Sequence, residues 1–245
     1  MSDLFNADLF NRDVPEQDGI YRALDKRPNV PLGQSSNFLP LTAALYEPLW
    51  RMRSIHILTG GAFSTERELD LMLKWLDVQP GQVVLDAACS AGLYARTLLE
   101  REPTLTVHAL DFSLPFLKKA KEYAERDNVT PLLVYADVRD LPYKDASFDA
   151  VVCGGSLNEF TDLPQSLREF ARVLKPGGKM WQMYVTKADA LVGKGVQGFI
   201  RASGIRFIAP EKLEPQANAA GFRLVRAQYR GAVALALFEK GRSKK

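Results

Sequence analysis

Apolar residues recur along this chain in two periods. From Phe38, the positions Leu41, Leu45, Leu49, Met52, Ile55 and Ile57-Leu58 fall three and four apart, the spacing of a helix with one apolar face. Pro48 should start, kink or split that helix, and Gly60-Gly61 ends it. A second helix is expected from Ser64-Thr65 through Leu69, Met72, Leu73 and Leu76, with Glu68 three residues after Thr65 completing a capping box. Pro80-Gly81 then turns the chain into Val83-Val84-Leu85-Asp86-Ala87, a short continuous apolar run suited to a strand buried on both faces. Helical spacing resumes after the small residues that follow, so this stretch reads as strand, tight turn, helix.

The unit repeats downstream. Leu105 to Asp111 alternates and ends on an acid, with a helix expected from about Leu114 to Arg126. Leu132 to Ala136 forms the next strand and runs into Asp137-Val138, with Asp140 as a turn residue. A fourth strand, Phe148 to Cys153, leads through Gly154-Gly155-Ser156 to a helix capped by Asp162, with Pro164 in its first turn and Gln165 three residues on. Lys179 to Val185 is a fifth strand, followed by an irregular Gly-rich segment from Lys187 to Ile208. A short helix ends before Gly221-Phe222, and Pro215 within it predicts a late start; two alternating strands joined near Arg230-Gly231 close the chain. Alternating strands and helices predict an α/β, doubly wound sheet. The expected organisation is an irregular arm over 1–37, interrupted by Pro15, Pro28 and Pro31, a helical lid over 38–78, an α/β domain over 79–240 and a basic tail over 241–245.

Composition narrows the picture only where it departs from the ordinary. With 47% hydrophobic and 25% charged residues among 245, the chain reads as globular. Its net charge of +3 owes much to Lys240-Gly241-Arg242-Ser243-Lys244-Lys245, a tail that solvation alone explains, and no nucleic-acid partner is expected from the scattered Lys and Arg. Two cysteines, Cys89 and Cys153, make no disulfide framework, Asp3 and Asp8 stand where a secretory signal needs basic and then apolar residues, and no run reaches the roughly 18 apolar residues of a membrane span. The expectation is a cytoplasmic protein. His56 and His108 lie far apart without paired cysteines or an HExxH spacing, so no metal site is expected, and His108, inside a strand, should be a packed residue.

Candidate chemistry gathers where strands end. Small residues after Asp86 let a ligand approach the backbone, and the N–H groups opening the next helix offer donors to a negative group. Asp111 lies 25 residues beyond Asp86, where nucleoside-binding α/β folds place a carboxylate for ribose hydroxyls; the other role open to it is capping a helix with Ser113.

The stretch from Val83 to Gly92 resembles the first motif of class I S-adenosylmethionine-dependent methyltransferases, apolar-apolar-Asp-x-Gly-x-Gly-x-Gly. Gly92 is the last of its glycines, and Ala88 and Ser90 stand at the other two. More specific is the combination of Phe148-Asp149 before an apolar strand with Arg172-Val173-Leu174-Lys175-Pro176-Gly177-Gly178 leading into the fifth strand. The general pattern is similar to the methyltransferase type 11 group that includes ubiquinone and menaquinone C-methyltransferases.

The resemblance implies a Rossmann-like seven-stranded sheet of order 3-2-1-4-5-7-6 with the last strand antiparallel, an S-adenosyl-L-methionine cofactor leaving as S-adenosyl-L-homocysteine, and no metal. It implies cofactor contacts from Asp86, Ala88, Cys89, Ser90, Gly92, Asp111, Phe112, Asp137, Val138 and Gly154, with Asp137 receiving the adenine amino group and the Val138 N–H a ring nitrogen. Glu159 is the candidate base and Asn158 an orienting group, with Tyr46 and His56 from the lid as further candidates. Cys89 and Cys153 should lie near each other beside the cofactor, either as packed small residues or as a redox-sensitive pair. A lid bearing Phe38, Leu45, Trp50, Met52, Ile55, Leu58 and Phe63, facing Phe199, Ile200, Phe207 and Ile208, suggests a small apolar or aromatic acceptor, such as a quinone, isoprenoid or lipid-like molecule, methylated by in-line displacement. No Asn/Asp-Pro-Pro-Tyr follows the fourth strand, against methylation of planar amino groups. The alternatives are an RNA or protein methyltransferase, or a cofactor-binding protein without activity.

Overall fold

The computed structural model describes residues 8–26, 28, 32–186 and 206–242. Phe199 and Ile200, most of the Gly-rich segment and the last three residues of the tail lie outside the described residues. In chain order the elements are β1 (Glu16–Gln17), β2 (Ile20–Arg22), α1 (Pro40–Leu45), α2 (Met52–Leu58), α3 (Thr65–Leu76), β3 (Val83–Ala87), α4 (Leu93–Arg101), β4 (Thr106–Asp111), α5 (Leu114–Arg126), β5 (Leu132–Tyr135), β6 (Phe148–Gly154), α6 (Leu163–Val173), β7 (Leu174–Val185), α7 (Pro210–Ala219), β8 (Phe222–Arg230) and β9 (Val233–Lys240). One sheet holds all the strands in the order β1-β2-β5-β4-β3-β6-β7-β9-β8. The seven from β5 to β8 follow the expected order, with β9 antiparallel to both its neighbours.

Among the described residues the sheet has nine strands and not seven, because part of the arm is not irregular. Asp18 and Gly19 both take positive φ, 59° and 78°, which makes the two-residue turn that favours a tight hairpin between β1 and β2. β2 then runs parallel to β5, pairing Ile20 with Leu133, and covers what would be an exposed sheet edge. Phe10 anchors the arm: its ring lies 5.3 Å from both Tyr143 and Tyr21, and Asn11 donates to the Tyr143 carbonyl. His108 packs in the same aromatic group with Nδ1 3.2 Å from the Tyr143 hydroxyl, and burial drives its pKa down to about 3.

Pro48 splits the first helix as expected, into α1, a π-turn over Tyr46–Arg51 that contains the proline, and α2, since proline supplies no N–H to the ladder. Two other local expectations change. The N-cap of α3 is Ser64, accepting from the Arg67 N–H, whereas Glu68 closes no capping box: its carboxylate is fully buried under Arg51. Pro215 sits inside α7, which starts at Pro210; Pro215 is exposed, so the carbonyl it leaves unpaired can face water, while Leu213 and Ala217 hold the buried face.

At the amino-terminal end of the sheet, the Asp149 carboxylate accepts from the Val83 N–H and from Lys175 Nζ. A Cβ on Gly178 would lie 2.9 Å from the Lys175 carbonyl and 3.0 Å from that of Asp149. The Phe-Asp and Lys-Pro-Gly-Gly signatures therefore clamp β3, β6 and β7 together, at the end of the sheet opposite the β3, β4 and β5 tips. The arm makes a direct test of the added edge: Phe10→Ala should lower the unfolding free energy by about 3 kcal/mol in denaturant titrations, the scale for truncating a buried aromatic ring, where an arm merely lying on the surface would cost almost nothing.

Candidate active site

Parallel strands β3, β4, β5 and β6 deliver their carboxyl ends to one cleft. The β3 turn comes first. Ala88, Ser90 and Gly92 all lie in the left-handed region, at φ 56°, 50° and 75°, so the backbone keeps a glycine-type path with two residues that carry a Cβ. Each of those two costs on the order of 1–2 kcal/mol. The turn is held by Cys89 N–H on the Leu110 carbonyl, Gly92 N–H on the Cys89 carbonyl and Ser156 Oγ on the Ala88 carbonyl.

Asp111, at the tip of β4, accepts from the Ser90 N–H at 2.9 Å and the Ser113 N–H at 2.8 Å. Burial nonetheless raises its pKa to about 6, these N–H groups opposing the rise. Ser113 itself caps α5, so capping falls to the serine and Asp111 is left facing the cleft. Asp137, beyond β5, is gripped by Arg139, whose Nη2 lies 2.6 Å from Oδ2, while Nη1 of the same arginine reaches Thr161 across the cleft. Val138 lines the cleft beside them, with Phe112, Phe116 and Phe160.

The loop after β6 supplies Glu159, half-buried and accepting from Asn37 Nδ2 at 3.3 Å; its pKa is raised to about 7, chiefly by burial. Tyr46 completes this wall, edge-on to Phe116 at 5.2 Å and in hydrogen-bond contact with Ser90, its phenol pushed up to about 12 by burial. The cleft thus gathers Tyr46, Ala88, Ser90, Asp111, Phe112, Asp137, Val138 and Glu159 from the expected set.

A small recess continues from the cleft, sharing Tyr46 and Ser90 and lined further by Glu47, Arg51, Ala91, Cys89 and Gly154. Gly154 has a packing reason for its identity, since a Cβ there would lie 2.5–2.7 Å from the Tyr94 ring. Arg51 and Glu47 come from the π-turn and are buried. Arg51 Nη2 binds both Glu68 oxygens at 2.9 Å, its guanidinium lies over the Tyr94 ring, and Tyr94 hydrogen-bonds to Glu68. Glu47 Oε1 pairs with Arg96 at 2.7 Å. Among the described residues, Arg51 Nη1 and Glu47 Oε2 have no hydrogen-bond partner.

Several expected residues lie elsewhere. Asp86 is buried behind the turn, accepting from the Ala95 N–H at 3.0 Å, with burial raising its pKa to about 7. Gly92 caps α4 and meets Ala120 of α5. Asn158 is spent on the chain, donating to the Val185 and Arg206 carbonyls and accepting from the Val185 N–H, and His56 is exposed on α2, lining neither cavity. Cys89 and Cys153 are free and buried, Cys89 at the recess and Cys153 in the core; burial raises both thiol pKa values, which disfavours the thiolate that redox chemistry needs. The apolar lid residues do not wall the cleft: Leu45, Trp50 and Met52 point to solvent, Ile55 and Phe63 enter the core, Leu58 packs against it, and the Phe38 ring lies tilted against Phe112. Phe207 and Ile208 pack against core clusters. Sequence reasoning missed Asn37, Glu47, Arg51 and Arg139; of these only Arg139, next to Asp137-Val138, stood where a motif could have flagged it.

Acids at adjoining strand tips over a glycine-type turn define a nucleoside-binding α/β protein. A family model described as a methyltransferase domain matches residues 85–181. The chain is similar to a 2-phytyl-1,4-naphtoquinone methyltransferase of Trichormus variabilis, 40% identical over 113 residues covering 45% of this chain and 49% of that protein. It also resembles a demethylmenaquinone methyltransferase of Deinococcus radiodurans, 32% identical over 57% of this chain and 67% of that protein. The chain thus spans about half the length of the naphtoquinone enzyme it matches. Among solved structures, the [4+2]-cyclase SpnF superposes with a TM-score of 0.68 at 19% identity, covering 90% of this chain and 100% of that one; a SAM dependent methyltransferase from Aquifex aeolicus gives 0.61 at 18%, covering 82% and 98%. The chain belongs to the class I S-adenosylmethionine-dependent methyltransferase family.

The Arg51–Glu68 pair is testable by a double-mutant cycle. Arg51→Met or Glu68→Met alone should each cost about 3–5 kcal/mol by stranding a buried charge, while the double variant should recover most of that loss. Additive losses would show that the two charges are not coupled.

Proposed function

We propose that this protein transfers a methyl group from S-adenosylmethionine to a quinone-type small molecule. The observation that carries the reading is the single cleft that collects Asp111, Asp137, Val138 and Glu159 over the β3 turn. When bound, the cofactor supplies an activated methyl on a sulfonium, so the chain needs to align the acceptor and exclude water. Asp111 would hold the ribose hydroxyls, Phe112 and Val138 would flank the base, and Asp137 would receive its amino group. The recess suits the amino-acid end: Arg51 Nη1 and Glu47 Oε2 are a buried donor and acceptor of opposite charge, matching an α-carboxylate and an α-ammonium.

The acceptor class is supported by the likeness to naphtoquinone and demethylmenaquinone methyltransferases and by the aromatic wall of Phe112, Phe116 and Phe160. A quinol-type acceptor loses a proton on methylation. Glu159 takes that proton at its carboxylate, and Asn37 orients it. Its pKa of about 7 keeps it partly ionised near neutrality.

Calorimetry tests the cofactor site. The protein should bind S-adenosylmethionine and S-adenosylhomocysteine, and Asp111→Ala should weaken both at least about tenfold. Glu47→Gln should narrow the preference for S-adenosylhomocysteine over 5′-methylthioadenosine, which lacks the amino-acid end. Absence of binding by the wild-type chain would overturn the reading.

A pH profile tests the base. The ionised carboxylate is the active form, so turnover of a demethylated naphthoquinol should rise as pH passes through about 7 and then level off. Glu159→Gln should lose roughly 10²–10⁴-fold in kcat and abolish that limb. An unchanged profile in the variant would remove Glu159 from the reaction.

A further inference from the structure

We infer that the outer face of the lid docks on an anionic lipid surface. The lid is amphipathic in the reverse sense. Between Leu39 and Ala62 the sole acid, Glu47, is buried against Arg96, and Arg51 is buried against Glu68. Turned outward instead are Leu41, Leu45, Leu49, Trp50, Met52 and Ile57, 39–69% exposed. They make up most of the large apolar side chains left exposed among the described residues, and they fall on one short stretch.

The charge around this face selects the occupant. The exposed ionisable side chains from Leu39 to Ala62 are Arg53 and His56, with no acid among them. An apolar arc that carries a tryptophan, with the Arg53 guanidinium beside it and no exposed acid on the segment, is the chemistry of a helix lying in the headgroup region of a bilayer that carries negative lipids. The inner side of the same π-turn supplies Tyr46 to the cleft and Glu47 and Arg51 to its recess. A lid lying on a membrane would therefore set the cleft beside the phase that holds an isoprenoid-bearing acceptor. In that last respect the inference rests on the function proposed above; the surface chemistry stands without it.

Trp50 gives the test a native probe, being 40% exposed where Trp75 and Trp181 are buried. The full chain is mixed with vesicles of phosphatidylglycerol and phosphatidylcholine, or of phosphatidylcholine alone, and binding is read by flotation and tryptophan emission. The expected result is flotation with the anionic vesicles, weakened by salt, and a blue shift of emission that Trp50→Phe removes. Leu41→Glu/Leu49→Glu, two exposed positions outside the cleft, should cut partitioning about tenfold or more while circular dichroism stays unchanged. Arg53→Glu should weaken binding to anionic vesicles alone.

The inference is overturned if the wild-type chain does not float, if the double variant floats equally well, or if light scattering without vesicles shows a dimer that the double variant dissociates, which would assign the face to a second copy. Calorimetry with S-adenosylmethionine on the same samples separates the two proposals. Cofactor binding without flotation sinks the docking face alone, and flotation without cofactor binding sinks the transferase reading alone.

Discussion

The buried ion pair between Arg51 and Glu68 governs how the lid relates to the rest of the molecule. Neither charge is solvated, so each depends on the other and on Tyr94, which hydrogen-bonds to Glu68 and in turn receives the Trp181 indole N–H. That chain of contacts runs from the π-turn through α3 and α4 to β7. Because Arg51 and Glu47 are drawn inward, the leucines that share their turns are driven outward, and Tyr46 is brought to the cleft wall. One electrostatic constraint thus fixes the shape of the recess and the chemistry of the outer surface together.

What the sequence made legible was whatever the topology alone determines. Once strands and helices alternate, an acid that ends a strand must sit at the carboxyl edge of the sheet, and Asp111 and Asp137 arrive there whatever their side chains touch. The residues that make the family recognisable do something else. Asp149, Lys175 and Gly178 hold the opposite end of the sheet, so recognition and chemistry rest on different residues. Likeness in fold to SpnF, a [4+2]-cyclase, fits the same separation: the fold positions a cleft and leaves the reaction to side chains.

What stayed hidden depends on contacts between distant parts of the chain. Asn37 meets Glu159 across 122 residues, and nothing local to a proline-rich arm foretells it. The Asp18-Gly19 turn was a local signal, but three-residue strands leave too little pattern around it to read. For the lid, periodicity gave the helical spacing and the break at Pro48, then failed on direction. The rule that apolar faces turn inward assumes the charges on the other face reach water, and here Glu47 and Arg51 find buried partners.

The β3 turn ties strain to ligand binding. Ala88 and Ser90 keep a path that glycine would follow without strain, so sequence identity at those positions is a poor guide to whether the turn forms. What sustains the turn is the set of hydrogen bonds around it, and two of the groups that make them also face the cleft: Ser156, on the Ala88 carbonyl, and Asp111, holding the Ser90 N–H with Oδ2. A carboxylate oxygen has room for a second donor, so a hydroxyl arriving from the cleft can bind Asp111 without displacing Ser90. Asp111 therefore serves the turn and the cleft at once, a double duty that a glycine-built turn, carrying no such strain, would not need.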